Sequence, residues 1–180
     1  MSQAVLISIR PEWCEKIISG EKTIEVRKTR PKLETPFKCY IYCTMDHPYI
    51  SVSCGELDKL NYRTNTVGRC NGKVIGEFIC DRIYELAPLN RAPDDVEQQA
   101  CLTREEIVLY LKGVGYGWHI SNLKIYDTPK ELIEFHTWKK CKSCNKSGYE
   151  STACIYDENC IIPAAITKAP QSWCYVEELP

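Results

Sequence analysis

Gly20-Glu-Lys-Thr-Ile-Glu-Val-Arg-Lys-Thr-Arg-Pro31 is the stretch on which the reading of this chain turns. It opens with a glycine that stops a helix and closes with a proline that stops a strand. Side chains of an extended strand alternate between two faces. Ile24 and Val26 therefore share an apolar face, and Glu25 and Arg27 share the other, with Lys22 at the entry. The charged side is expected to be a short platform against solvent. Its plainest interpretation is a solvated strand face with one ion pair, worth less than ~1 kcal/mol.

Working outward, Ala4–Ile9 is short, apolar and rich in branched residues, as a strand is. Pro11 suits the first turn of a helix, and Trp13, Cys14, Ile17 and Ile18 give that helix an apolar stripe ending at Gly20. Phe37–Cys43 is a strand with Cys39, Ile41 and Cys43 on one face. Residues 49–72 lack periodicity and are expected to be loop with one short helix. Gly72–Tyr84 is the clearest long strand, apolar on both faces, with Gly76 at a bulge or a close backbone approach. Ala87–Gln99 is an acidic, proline-containing loop. Thr103-Arg-Glu-Glu106 is a capping box opening a helix to Leu111. Gly113, Gly115 and Gly117 come after that helix and before the strand Trp118–Tyr126, the wrong order for a dinucleotide-binding loop. Thr128-Pro-Lys-Glu131 is expected to cap a short helix through Phe135, and Ser172–Glu178 to form a closing strand. Strands interspersed with short helices, without regular βαβ alternation, indicate an α+β fold with a largely antiparallel or closed sheet.

The frame Ser8-Ile9-Arg10-Pro11, Ile17-Ile18-Ser19-Gly20-Glu21-Lys22-Thr23-Ile24-Glu25-Val26-Arg27 and Pro31 resembles the signature of the ASCH domain. That family belongs to the PUA-like superfamily of small β-barrels, and its hallmark is a G-x-K-x-x-E-x-R run after a short helix. Every hallmark position is filled. The resemblance continues more loosely through Gly72–Asp81, Gly117–Pro129 and Gln171–Glu177. It implies a PUA-like β-barrel with flanking short helices, spanning residues 1–180 as a single domain. It also implies RNA binding by analogy with PUA domains. Some small bacterial members resemble this chain and act as amidohydrolases on an acetylated cytidine, and ribonuclease activity has been assigned to others.

The chain has 180 residues, enough for one well-packed domain, and 44% hydrophobic and 10% aromatic content places it among globular proteins. A net charge of −1 excludes a general basic field, so nucleic-acid binding has to come from a local patch. No apolar run reaches membrane-spanning length, and the N-terminus lacks the basic leader and long apolar core of a signal peptide. A cytoplasmic location is expected, with no membrane partner, and no protein partner is indicated.

Twelve cysteines are many for such a chain. In a reducing compartment most are thiols, several of them buried as small hydrophobes. Cys141, Cys144, Cys154 and Cys160 are different, because they fall within one short polar stretch. A C-x-x-C pair brings two sulfurs to one ion, and the later two complete a tetrahedron. Residues 137–162 are therefore expected to be a cysteine-rich insertion around a structural zinc ion, the metal replacing an absent core. Unliganded thiols or a redox pair are the alternative, and His136 is a possible substitute ligand.

Three functional readings follow. In the first, Arg10, Lys22, Glu25 and Arg27, with Lys28, bind RNA or a nucleotide, and Trp13, Trp118, Tyr126 or Trp173 supplies a stacking face. In the second, the chain is an amidohydrolase like the small relatives, in which the hallmark lysine activates a threonine nucleophile with a glutamate assisting. Lys22 matches that lysine, but Glu25 stands where the threonine would be and Thr23 is offset. Catalysis would then fall to Lys22 and Glu25, the latter as a general base on water, with Glu97 as the assisting acid. In the third, Lys22, Glu25, Arg27 and His119 handle a scissile phosphate as a ribonuclease. Binding is the leading reading. Loss of Lys22 is expected to impair it with little effect on stability, as for other surface positions.

Overall fold

Runs of branched and aromatic residues at alternate positions build a six-stranded sheet with short helices set against its edges and one end. The computed structural model describes residues 2–50, 70–86, 91–140 and 161–179. Its elements in chain order are β1 (Gln3–Ile9), α1 (Pro11–Ile18), β2 (Ile24–Arg27), β3 (Phe37–Cys43) and β4 (Val74–Glu85). They continue with α2 (Val96–Ala100), α3 (Arg104–Leu111), β5 (Tyr116–Lys130), a 3₁₀ turn (Leu132–Glu134), β6 (His136–Lys140), β7 (Ile161–Ala165) and β8 (Trp173–Glu177). The order across the main sheet is β2-β5-β4-β3-β1-β8. β1 and β3 run parallel, and the other ladders of this sheet are antiparallel.

The sheet curls into a half-barrel, giving an α+β fold. Its two edges are brought together by side chains. Trp173 on β8 donates its indole N–H to Thr29 Oγ1, just past β2, at 3.0 Å, and the Lys32 N–H donates to the Tyr175 hydroxyl at 2.7 Å. Gly76 permits the bend. A Cβ there would stand 2.5 Å from the Lys124 carbonyl oxygen, and the β4–β5 register shifts beside it.

Three apolar clusters hold the fold. The first fills the inside of the curl: Val5, Ile7 and Ile9 of β1, Cys39, Ile41 and Cys43 of β3, Phe78 and Cys80 of β4, Trp118 of β5, and Cys14 and Ile17 of α1. The second lies on the other face of β1 and β3, where Leu6, Tyr40 and Tyr42 pack with Phe135 and Val176. The third joins Ile24 and Val26 of β2 to Leu86, α2 and α3. β2 is thus held by its apolar face, and its charged face turns inward. Glu25 lies opposite Trp118, and cross-strand partners share a face.

Several sequence expectations are met closely, including α1, β3, the Thr103–Glu106 capping box and the bulge at Gly76. Others need correction. Residues 87–99 are not all loop, because α2 starts at Val96. Asp95 and Glu97 are helix-start residue types, but with five residues, no side-chain cap made by Asp95 and a left-handed Cys101 in place of a terminal glycine, this helix is weakly marked in sequence. Thr128-Pro129 does not cap a helix either. β5 runs through both residues to Lys130, and the turn begins at Glu131, whose N–H donates to Glu134 Oε1 at 2.7 Å. The expectation for 49–72 falls largely outside the described residues. No helix among the described residues is long and apolar enough to cross a membrane.

Cys141, Cys144, Cys154 and Cys160 also lie outside the described residues. What flanks them is defined: β6 and β7 form a separate antiparallel ladder in which Lys140 is opposite Ile161. The cysteine segment therefore leaves and rejoins the fold at adjacent points. His136 is at the far end of that ladder, roughly 13 Å along β6 from Lys140.

Candidate functional site

The hallmark residues meet at a cleft of about 750 Å³ at one end of the curled sheet. Ser8, Ile9 and Arg10 enter from the end of β1, Glu12 and Trp13 from α1, and Lys22, Glu25 and Arg27 from the β2 segment. Thr44, Met45 and Asp46 follow β3, while Glu106, Leu109 and Tyr110 come from α3, and Pro170 and Gln171 precede β8. Arg10, Lys22, Glu25 and Arg27, the four residues selected from the sequence, all line it.

The platform against solvent is the feature that the structure corrects. Lys22, Glu25 and Arg27 are 2%, 6% and 8% exposed. Their charges offset one another: Lys22 Nζ is 3.4 Å from Glu25 Oε2, and Arg27 Nη2 is 2.9 Å from Glu25 Oε1. Backbone carbonyls also accept from both cations. Lys22 Nζ donates to Ala100 O at the end of α2 (2.7 Å), and Arg27 Nη2 donates to Ser8 O (2.6 Å). The Trp13 ring lies under the ammonium, 5.2 Å from Nζ to its centroid. A buried triad of this kind ties β1, β2 and α2 together. Removing one member leaves a neighbouring charge uncompensated, so Lys22 is structural as well as cleft-lining.

Sequence places the charges correctly but cannot show this burial. The surrounding groups come from α1, which directly precedes β2, but also from α3, the Ala100 carbonyl and the 170–171 turn, far away in the chain. Ser8 belongs to the same frame. It is buried, and its hydroxyl donates to Pro170 O at 2.7 Å, fixing that turn over the cleft. Two polar atoms nearby have no hydrogen-bond partner among the described residues: Arg27 Nε and Thr44 Oγ1, both buried. No sequence signal marks Thr44.

Other candidates separate from the cleft. Of the four proposed stacking rings, Trp13 lines it. Trp118 is fully buried, edge-on to Phe37 at 6.0 Å, and Trp173 packs on Trp118 at 5.9 Å. The Tyr126 hydroxyl donates to Glu77 Oε2 at 2.6 Å, away on β4. His119 lies opposite Ile24, on the face of β2 that Glu25 does not occupy, and its Nδ1 is 2.7 Å from Asp81 Oδ1. Burial alone would raise the Asp81 carboxyl, but the hydrogen bond and charge of His119 outweigh it and hold the group below its ordinary value. Glu97 is engaged by Arg104, accepting from its backbone N–H at 2.7 Å. Cys14 is a buried thiol donating to Ile9 O at 3.6 Å. Its hydrogen bond with Cys43 and its burial push its pKa well above the usual thiol value, opposite to what a nucleophile needs. Among the described residues, no group of three or more His, Cys, Asp or Glu side chains is arranged to hold a metal ion.

No protein-family model matches the chain, and no curated protein matches it. Solved structures do. The chain is similar to the ASCH protein of Zymomonas mobilis, at 17% identity and a TM-score of 0.53, covering 97% of this chain and 88% of that one. Two single-residue variants of that protein give 16% identity with a TM-score of 0.53 and 17% with 0.54, covering 91% and 89% of their chains. At such identities the likeness establishes the fold. It is the ASCH fold, and it extends over nearly the whole chain.

Proposed function

We propose that this ASCH-fold chain binds RNA or a nucleotide in the cleft above Lys22, Glu25 and Arg27. The observation that carries the reading is the built character of the cleft floor. A buried ionic triad, anchored to two backbone carbonyls and with the Lys22 ammonium over the Trp13 ring, lines an open cavity. Burying three charges is costly, and a plain structural strand would use apolar residues there. Aromatic faces lining the cleft, Trp13 and Tyr110, suit stacking with bases. Lys28, whose ammonium lies 5.1 Å from the Tyr110 centroid, and exposed Arg10 supply positive charge at the mouth for a sugar–phosphate backbone.

Binding is favoured over hydrolysis by the state of the carboxylate. Both Glu25 oxygens are engaged with cations, and Lys22 Nζ is held by Glu25 and Ala100 O. A general base needs a free oxygen facing substrate, and a lysine activating a nucleophile needs a hydroxyl beside it. Thr23 does not provide one: its Oγ1 lies 3.3 Å from Gln99 Oε1, and it is not among the cleft residues. The test is fluorescence polarisation of labelled single-stranded RNA with wild type, Arg10→Gln and Tyr110→Ser. Rim substitutions should weaken binding without altering the melting curve. Equal affinity in all three proteins would remove the cleft from the account.

We further propose a structural zinc ion held by Cys141, Cys144, Cys154 and Cys160. Four thiolates form a closed, soft donor set, and the adjacent ends of the segment at Lys140 and Ile161 suit a small metal-tied appendage.

A further inference from the structure

We infer that the inner end of the cleft is a recognition site for the carbonyl oxygen of a neutral, planar ring such as a nucleobase, with Thr44 and Arg27 as its specificity-determining residues. The inference rests on the binding function proposed above and names what enters first, the base and not the phosphate.

Two observations carry it. The first is the pair of buried polar atoms without partners, Arg27 Nε and Thr44 Oγ1, on residues that both line the cavity. A buried donor left unpaired is costly, and one that lines a cavity, unlike the similarly unpaired Trp118 Nε1 in the core, can be satisfied by a ligand or water. The Arg27 guanidinium is already tied to Glu25 and Ser8 O through Nη2, so its orientation is set before ligand arrives. Its Nε–H is a donor only. Thr44 Oγ1 can donate as well, and one rotation about χ1 redirects it. An acceptor on a ligand in the cavity can satisfy either of them.

The second is charge. Three cationic side chains, Arg10, Lys22 and Arg27, line the cavity, against four acidic ones, Glu12, Glu25, Asp46 and Glu106. Glu25 cancels one of the two buried cations, and the exposed Glu12, Asp46 and Glu106 outnumber the cations left, Arg10 included. A phosphate group would enter a cavity whose lining as a whole carries no surplus of positive charge. A neutral carbonyl meets no such penalty, and its ring has Trp13 and Tyr110 as apolar walls. The phosphates of a nucleotide or RNA are left to Arg10 and Lys28 outside.

The test is isothermal titration calorimetry of uridine, cytidine, adenosine and inorganic phosphate into the full chain. Wild type would be compared with Thr44→Val and Thr44→Ser. Uridine and cytidine carry a ring carbonyl and adenosine carries none. Wild type should bind the first two, bind adenosine more weakly, and give no heat with phosphate. Thr44→Val should weaken uridine and cytidine about five- to tenfold, as loss of one hydrogen bond does, and leave adenosine unchanged. Thr44→Ser keeps the hydroxyl and should restore binding. The melting temperature of unliganded Thr44→Val should stay level or rise by about 1–3 °C, because an unpartnered buried hydroxyl has been removed. If Thr44→Val melts lower and binds as wild type does, the hydroxyl is structural and the inference is wrong. Retained RNA binding with preference for phosphate or adenosine overturns the inference alone. No binding of any nucleoside, nucleotide or RNA overturns it together with the proposed function.

Discussion

Replacing Glu25 with glutamine isolates the energetic centre of the site, because the side chain keeps its shape and loses its charge. In the wild type the carboxylate faces Lys22 Nζ at 3.4 Å and Arg27 Nη2 at 2.9 Å, with all three residues buried. Glutamine offers one oxygen and one NH₂ group, so one of the two cations would meet a donor instead of an acceptor. Breaking a buried pair from one side costs about 3–5 kcal/mol, chiefly because an uncompensated charge remains inside. Ala100 O and Ser8 O still accept from Lys22 and Arg27, which places the expected loss near the lower end, about 3 kcal/mol. For a chain of this size that corresponds to a fall of about 10 °C in melting temperature. Urea denaturation followed by circular dichroism at pH 7 measures it, as a shift in midpoint at constant slope. A double-mutant cycle with Lys22→Met should give a coupling energy above about 1 kcal/mol. A loss under about 1 kcal/mol for Glu25→Gln would mean that the triad behaves as a solvated surface pair, and the reasoning from burial would fail.

Other outcomes follow from the same structure. Lys22→Ala should cost about 2–3 kcal/mol, since the Ala100 carbonyl loses its donor and Glu25 loses one cation; a near-neutral effect in chemical denaturation would restore the surface reading. The Lys38–Glu178 pair, 3.0 Å apart, should make a small pH-dependent contribution, under about 1 kcal/mol. Its hydrogen bond to Lys38 lowers Glu178 from an ordinary value near 4.5, and the bond to Glu178 raises Lys38 from one near 10.5. The contribution is therefore complete between those two values. It is lost as pH falls through the depressed carboxyl pKa or rises through the elevated ammonium pKa, and NMR titration of Glu178 in Lys38→Met should show the carboxyl pKa rising. Metal analysis of purified protein should find about one zinc per chain, falling sharply in Cys141→Ser and Cys154→Ser, whereas full retention in both variants would remove these ligands.

Much of the fold is written in local patterns. Alternation around Ile24 and Val26 gives β2, the Pro11 and Gly20 boundaries give α1, and Thr103 with Glu106 gives the start of α3. These signals act over a few residues and survive in any tertiary setting. The site was only half visible for the opposite reason. That Glu25 and Arg27 share a face is a property of β2, but the cleft around them also takes Leu109 and Pro170, and Lys22 takes Ala100 O, all from distant segments. The inward turn of the charged face follows from α2 and α3 claiming the apolar one, and α2 itself is too short and too poorly capped to announce its place. Thr44 shows the limit most plainly. It is an ordinary threonine after a strand, and only the missing hydrogen bond in the folded chain sets it apart.

The central claim is that the cleft holds a nucleic-acid component, and mass spectrometry of a mixed RNA and modified-nucleoside pool tests it most directly. Wild type would be incubated with the pool beside Arg10→Gln and Thr44→Val, and both the retained and the altered masses read. The account predicts that wild type retains RNA or nucleosides with their masses unchanged, and that both variants retain less. Loss of an acyl group or shortened strands with wild type alone would contradict simple binding and make the cleft catalytic. Retention of nothing, or equal retention by all three proteins, would contradict the assignment of the cleft itself.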